Sequence, residues 1–223
     1  MRARGPLPQV TLALSVGWIW IHLWQSTLDA TVAERAQHVL GLIPAVLTGR
    51  ATLAAELAIV APPWTLLTSQ LVHADMLDLG SAVFYVCAFG GRVERALGAL
   101  RFAVLLFVCG ICAGLVQVVA APALVVPILG ASGAVSGVLG AHVLLAPRAR
   151  LRFPPLFAGP LAGVVPALPA AVLLAAWFAL AWVRGQLGVN APGAFLALAA
   201  GFLCGMILVL FLKRRAVPLF AGC

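Results

Sequence analysis

Four glycines and two serines recur at short intervals in Gly130-Ala131-Ser132-Gly133-Ala134-Val135-Ser136-Gly137-Val138-Leu139-Gly140. If this stretch is helical, Ser132 stands in its first turn, where backbone N–H groups lack intrahelical partners and the dipole is positive. A serine so placed can act as a nucleophile, with the free N–H groups steadying an anion that develops on the attacked carbonyl. The same string also reads as a packing face, since glycines let neighbouring helices approach closely, with the serines as small fillers. The nucleophilic reading requires a base within hydrogen-bond reach. The chain has four histidines, His22, His38, His73 and His142. His142 lies about 15 Å from Ser132 along a helix, which is out of reach. His22 ends an apolar run and is expected at an interface, and His38 in a polar segment is expected to be solvated. Asp78 is the remaining suspect, a carboxylate inside an apolar stretch that would serve as a weak base or neutral donor. The plainer expectation for it is a wetted carboxylate at a cavity mouth, bonded to a hydroxyl such as Ser81.

These residues sit in a chain of 223 residues that is 64% hydrophobic and 9% charged, with a mean hydropathy of +1.13. Soluble domains carry roughly 25% charged residues, and polar side chains must cover their surface. A soluble enzyme, a disordered tail and a disulfide-stapled secreted domain are therefore excluded. An all-α polytopic membrane domain over 1–223 is expected instead. Windows of about 19 residues place six spans near 10–26, 65–90, 100–120, 130–146, 168–183 and 195–212. They leave 27–63 as a long external loop lying partly in the interface, and 213–223 as a tail. The first span is too polar at its start, and too poor in an A-x-A site, to read as a cleaved signal.

The net charge of +8 is too scattered for nucleic acid and follows membrane topology instead. Arg2, Arg4, Arg92, Arg95, Arg101, Arg148, Arg150, Arg152, Lys213, Arg214 and Arg215 fall on one side, against Glu94 alone. Arg35, Arg50 and Arg184 face Asp29, Glu34 and Glu56 on the other. The positive-inside rule then predicts both termini in the cytoplasm. A strong Arg over Lys bias and abundant Ala point to a GC-rich, bacterial source and hence its plasma membrane. Trp18, Trp20, Trp24 and Trp64 are expected as interfacial anchors. Cys109 and Cys112 have CxxC spacing but no second pair, so no metal or other cofactor is expected.

Three stretches together resemble the rhomboid intramembrane serine proteases. Trp64-x-Leu-Leu-Thr68, His73-Ala74-Asp75 and Phe89-Gly90-Gly91-x-Val93-Glu94-x-x-x-Gly98 look like that family's second span and the turn after it. Gly130-Ala131-Ser132-Gly133 is similar to its Gly-x-Ser-Gly nucleophile helix. Ala197-Leu198-x-x-Gly201-x-x-x-Gly205 matches its Ala-His-x-x-Gly-x-x-x-Gly frame. The resemblance implies a six-helix rhomboid bundle, Ser132 as the nucleophile position, a gate between the second and fifth helices and a cavity open to the external side. His73, Gly130, Gly133, Gly201 and Gly205 would form the frame of the site, with His73 satisfying backbone groups of the external loop. It also implies losses. The family's general-base histidine falls at Leu198, which accepts no proton. The family's oxyanion pattern His-x4-His-x3-Asn falls on His73, Asp78 and Ala82, where Asp78 brings negative charge and Ala82 offers no donor. The expected function is that of a pseudoprotease, binding transmembrane segments of other proteins within the lipid bilayer. The alternative is an active protease using Ser132 with Asp78 as an unconventional base. A transporter or channel is less consistent with the sequence, because the ionisable residues His73, Asp75 and Asp78 cluster toward one end rather than pairing at mid-membrane.

Overall fold

The computed structural model describes residues 7–151, 168–214 and 217–220. Its longer helices are α1 (Gln9–Ser26), α2 (Ala30–Leu40), α3 (Met76–Leu97), α4 (Ala99–Ala120), α5 (Ser132–Leu145), α6 (Ala170–Gln186) and α7 (Ala194–Leu212). A two-residue antiparallel pair, Arg150–Leu151 with Leu168–Pro169, closes the connection before α6. The expected spans near 10–26, 100–120, 130–146, 168–183 and 195–212 correspond to α1, α4, α5, α6 and α7, with ends shifted by up to three residues.

The second span departs from expectation. The apolar run predicts one span over 65–90, but the chain there makes short turns over Thr65–Thr68 and Ser69–Leu71, and α3 begins only at Met76. Asp75 sets that start, because its side chain accepts the Asp78 N–H at 2.8 Å and caps the helix. A hydropathy window averages over such a cap. At the far end, α3 widens into a π-turn over Val86–Gly90 and continues as α-helix through Gly91–Leu97. The Phe89-to-Gly98 motif is therefore mostly helix, and the turn is Gly98 alone, whose φ of +92° suits glycine.

Among the described helices, α3, α4 and α7 are long and apolar enough to cross a membrane by themselves. The six-span expectation is thus met in part. Helix α5 rises only about 21 Å at 1.5 Å per residue, short of a hydrocarbon core of about 30 Å. It lies instead at the centre of the bundle, with every residue from Ala134 to His142 buried.

Glycine places it there. A Cβ added at Gly201 or Gly205 of α7 would run into the backbone carbonyls of Gly133 and Gly137, respectively. A Cβ at Gly140 would strike the Phe202 carbonyl, and on the other flank Gly133 and Gly137 face Ala113 and Cys109 of α4. Helix α5 is therefore wedged between α4 and α7 at backbone distance.

Other segments brace this centre. The buried Glu94 carboxylate accepts the Val10 and Thr11 N–H groups, both at 2.9 Å, and the Thr11 hydroxyl at 2.7 Å, capping α1 from α3. The 27–63 loop is half helical, and it is stapled to the α4–α5 connection by reciprocal Leu42–Ile128 bonds and by the Ala45 N–H to the Leu124 carbonyl. Trp20, Trp24 and Trp64 are exposed as expected of anchors, whereas Trp18 is buried in the core with its ring edge-on to His73 at 5.4 Å. Trp18 shares one apolar run with Trp20 and Trp24, but it lies on the buried face of α1 with Thr11 and Ser15.

The glycine contacts give a stability prediction. Gly201→Ala and Gly133→Val should each cost about 1–3 kcal/mol, the usual penalty for overpacking. Leu203→Val, at a side chain 57% exposed, should cost far less. Thermal unfolding in detergent measures this, and equal melting temperatures for all three variants would contradict the close approach.

Candidate functional site

Alpha-5 begins where the chain has no freedom to do otherwise. Gly130 has φ +108°, its N–H donates to the Ser69 carbonyl at 3.0 Å, and Ala131 is fully buried. Ser132 then opens the helix at the wall of a cavity of about 340 Å³. Its hydroxyl makes no hydrogen bond among the described residues.

Leu198 of α7 lines the same cavity and is 4% exposed. It stands three residues before Gly201, on the helix face that the glycine contact turns toward α5. Ser132 and Leu198, the nucleophile and general-base positions named from the sequence, therefore share one cavity. No histidine lines it among the described residues. His142 is fully buried further down α5, edge-on to Phe89 at 4.8 Å.

Asp78 also lines the cavity. Its carboxylate lies against Gly130, since a Cβ there would sit 2.7 Å from Oδ2. The Ala74 N–H approaches the carboxyl group, while Oδ2 is shut from solvent without a partner. The expected bond to the Ser81 hydroxyl is absent, because Ser81 Oγ donates to the Asp78 backbone carbonyl at 2.9 Å. An i to i+3 backbone acceptor is nearer to a helical serine than any neighbouring side chain.

Ala82 and His73 are placed differently from the other named residues. Ala82 is 1% exposed in the core and does not line the cavity among the described residues. His73 is buried, and neither ring nitrogen has a hydrogen-bond partner. It packs on Trp18 and does not satisfy the backbone of the loop. The frame glycines Gly130, Gly133, Gly201 and Gly205 all act through the close approaches described above.

Two cavity residues, Trp177 and Arg184, are not singled out as site residues by the sequence. Trp177 of α6 donates its indole N–H to the buried Ser136 hydroxyl at 2.8 Å and stands edge-on to Tyr85 at 4.7 Å. Arg184, near the end of α6, bonds Asp75 Oδ2 at 2.8 Å and Asn190 Oδ1 at 3.2 Å. The signal available was Arg184 itself, a cation at the end of an apolar run on the side that also holds Asp75. Their separation of 109 positions hid the pairing. With the Tyr85 hydroxyl donating to the Leu173 carbonyl at 2.9 Å, these bonds tie α6 to α3 and α5.

The family model for the Rhomboid domain matches residues 61–215. That is well over half of the chain, so the chain belongs to the rhomboid family. With the apolar helices α3, α4 and α7, this makes it an integral membrane protein. No curated protein matches the chain.

The Asp75–Arg184 pair has a pH signature. Burial opposes the charge of Asp75, but the Arg184 guanidinium and the Asp78 and Leu77 N–H groups outweigh it and hold the carboxyl below the usual carboxylate range. A lowered folded pKa contributes fully above the unfolded value of about 3.9 and is lost as pH falls through the lower folded value. A spin label at Val183 should therefore keep its mobility from neutral pH down to about 3.9 and loosen only below it. In Asp75→Asn it should be loose throughout. A label equally mobile in both proteins at neutral pH would show that the pair does not hold α6.

Proposed function

We propose that this chain is a rhomboid pseudoprotease that receives transmembrane segments of other membrane proteins in the Ser132 cavity and does not cut them. The observation that carries the proposal is Leu198. It occupies the wall of the cavity that Ser132 faces, and the sequence has no histidine after His142. A serine without a proton acceptor is a poor nucleophile. The anion side supports the same reading. Asp78 sets a carboxylate beside the start of α5, where an oxyanion would need donors.

The charge distribution supports cytoplasmic termini in a bacterial plasma membrane, with the cavity facing the external side. A segment would enter between α3 and α6, beside the part of the cavity lined by Asp78, Ser81, Ala181 and Arg184. Polar lining from Ser81, Gln117 and Asn190 offers hydrogen bonds to a helix that unwinds locally.

One observation favours a second reading, an active serine endopeptidase. Asp78 and Ser132 line the same cavity, so the carboxylate is the available base if Ser132 reacts.

A fluorophosphonate probe separates the two. The pseudoprotease should give no labelling at Ser132 beside an active rhomboid control. Labelling that vanishes in both Ser132→Ala and Asp78→Asn would establish the second reading.

Restoring the base alone should also fail. A general base typically supplies about 10²–10⁴ in rate, whereas one missing oxyanion donor costs about 10²–10³. Leu198→His should therefore leave cleavage of a transmembrane reporter near background. Adding Asp78→His should raise it at least about tenfold. Equal rates for the single and double variants would remove the anion-site part of the case.

A further inference from the structure

The cavity holds an imbalance of charge that the pseudoprotease reading leaves unused. Among the described residues, Asp78 and Arg184 are the ionisable side chains that line it. Arg184 is already committed, to Asp75 Oδ2 at 2.8 Å and Asn190 Oδ1 at 3.2 Å. Asp75 in turn accepts the Asp78 N–H through its other oxygen at 2.8 Å. Two carboxylates therefore share one guanidinium, and Asp78 is the one left over.

Its position makes that remainder usable. Asp78 is the third residue of α3, about one helical turn below the Asp75 cap. Its Oδ2 is buried without a partner, and a buried acceptor left unsatisfied is costly to keep. The start of α5 lies beside the carboxyl group but supplies no hydrogen bond to Oδ2. A carboxylate can accept several donors, so the site lacks a donor of opposite charge. An occupant of the cavity that brought one would relieve the penalty at the moment of binding.

Resting on the reading of this cavity as a receptor for transmembrane segments, we infer that Asp78 is its selectivity element. It pairs with a lysine or arginine carried one to two turns inside the end of the bound segment, on the side of the membrane that Asp75 faces. The aliphatic stem of such a side chain spans the apolar rim of Leu124, Val126 and Val189 while its charged head reaches the carboxylate. An acidic segment is repelled by the same group, and an all-apolar one leaves Oδ2 unpaired.

The test uses the full chain in liposomes with a benzophenone side chain placed at Val126, on the cavity wall and 55% exposed. Synthetic leucine-rich spanning segments carry one Lys, Glu or Leu at the same outer position. The expected Lys-to-Leu crosslinking ratio is about ten, in keeping with a charge-assisted hydrogen bond, and the Glu segment falls below Leu. The ratio should drop to about one in Asp78→Asn, which keeps the shape of the side chain, and survive in Asp78→Glu. A ratio near one in the native chain, with all segments captured, would overturn this inference and leave segment binding intact. So would a preference for Lys that persists in Asp78→Asn. No capture of any segment would overturn the binding reading and this inference together.

Discussion

The structure depends on one contact, the backbone-to-backbone approach of α5 and α7 at Gly133–Gly201 and Gly137–Gly205. In lipid, helices gain nothing from hiding apolar surface from one another, so association rests on close packing and interhelical hydrogen bonds. Glycine spaced by four on both helices aligns two side-chain-free faces, and that alignment sets the register. Once Gly201 sits on Gly133, the face of α7 one turn earlier is fixed toward the start of α5. Leu198 and Ser132 share a cavity for that reason, and nothing about their own chemistry is required. The frame holds whichever residue stands at 198.

Helix α6 is attached through side chains, since its Gly185 meets no neighbour. Ala170, Leu173 and Trp177 join the core of α3 and α5, with the Trp177 ring edge-on to Tyr85, and the polar ties Tyr85–Leu173, Trp177–Ser136 and Arg184–Asp75 are spaced along the helix. Polar contacts of this kind hold an orientation yet leave space between them, and the cavity occupies that space. Tight glycine packing on one side of α5 and spaced hydrogen bonds on the other make a bundle that is closed at α7 and hollow toward α6. The same asymmetry puts Trp177 beneath the cavity as its floor.

The family and the frame were legible in the sequence because glycine spacing and apolar run length are local quantities. The Gly201 and Gly205 contacts and the positions of five spans could be read from neighbours in the chain. The start of α3 could not, since it depends on the side chain of Asp75 capping a helix inside an apolar average. Neither could the burial of Trp18, which follows from the face of α1 turned toward His73. Arg184 and Trp177 were missed because their partners lie 109 and 41 positions away. Asp78 lines the cavity, but without the Ser81 partner the sequence suggests, because a helical serine finds a backbone carbonyl before it finds a neighbouring carboxylate.

Persistence of the Gly130-Ala131-Ser132-Gly133 string is weak evidence for catalysis, and the geometry shows why. Gly130 is required by its φ of +108° and by the Asp78 carboxylate packed against it. Ala131 is fully buried and admits nothing larger without displacement. Gly133 is held by Ala113 on one side and by the approach of Gly201 on the other. Three letters of the motif are thus fixed by folding, and the fourth, serine, is a small residue well suited to a helix start. Positions 78 and 198 are under no such backbone constraint. Both side chains line the cavity. At these two positions the cavity wall carries Asp78, whose Oδ2 has no donor, and the apolar side chain of Leu198.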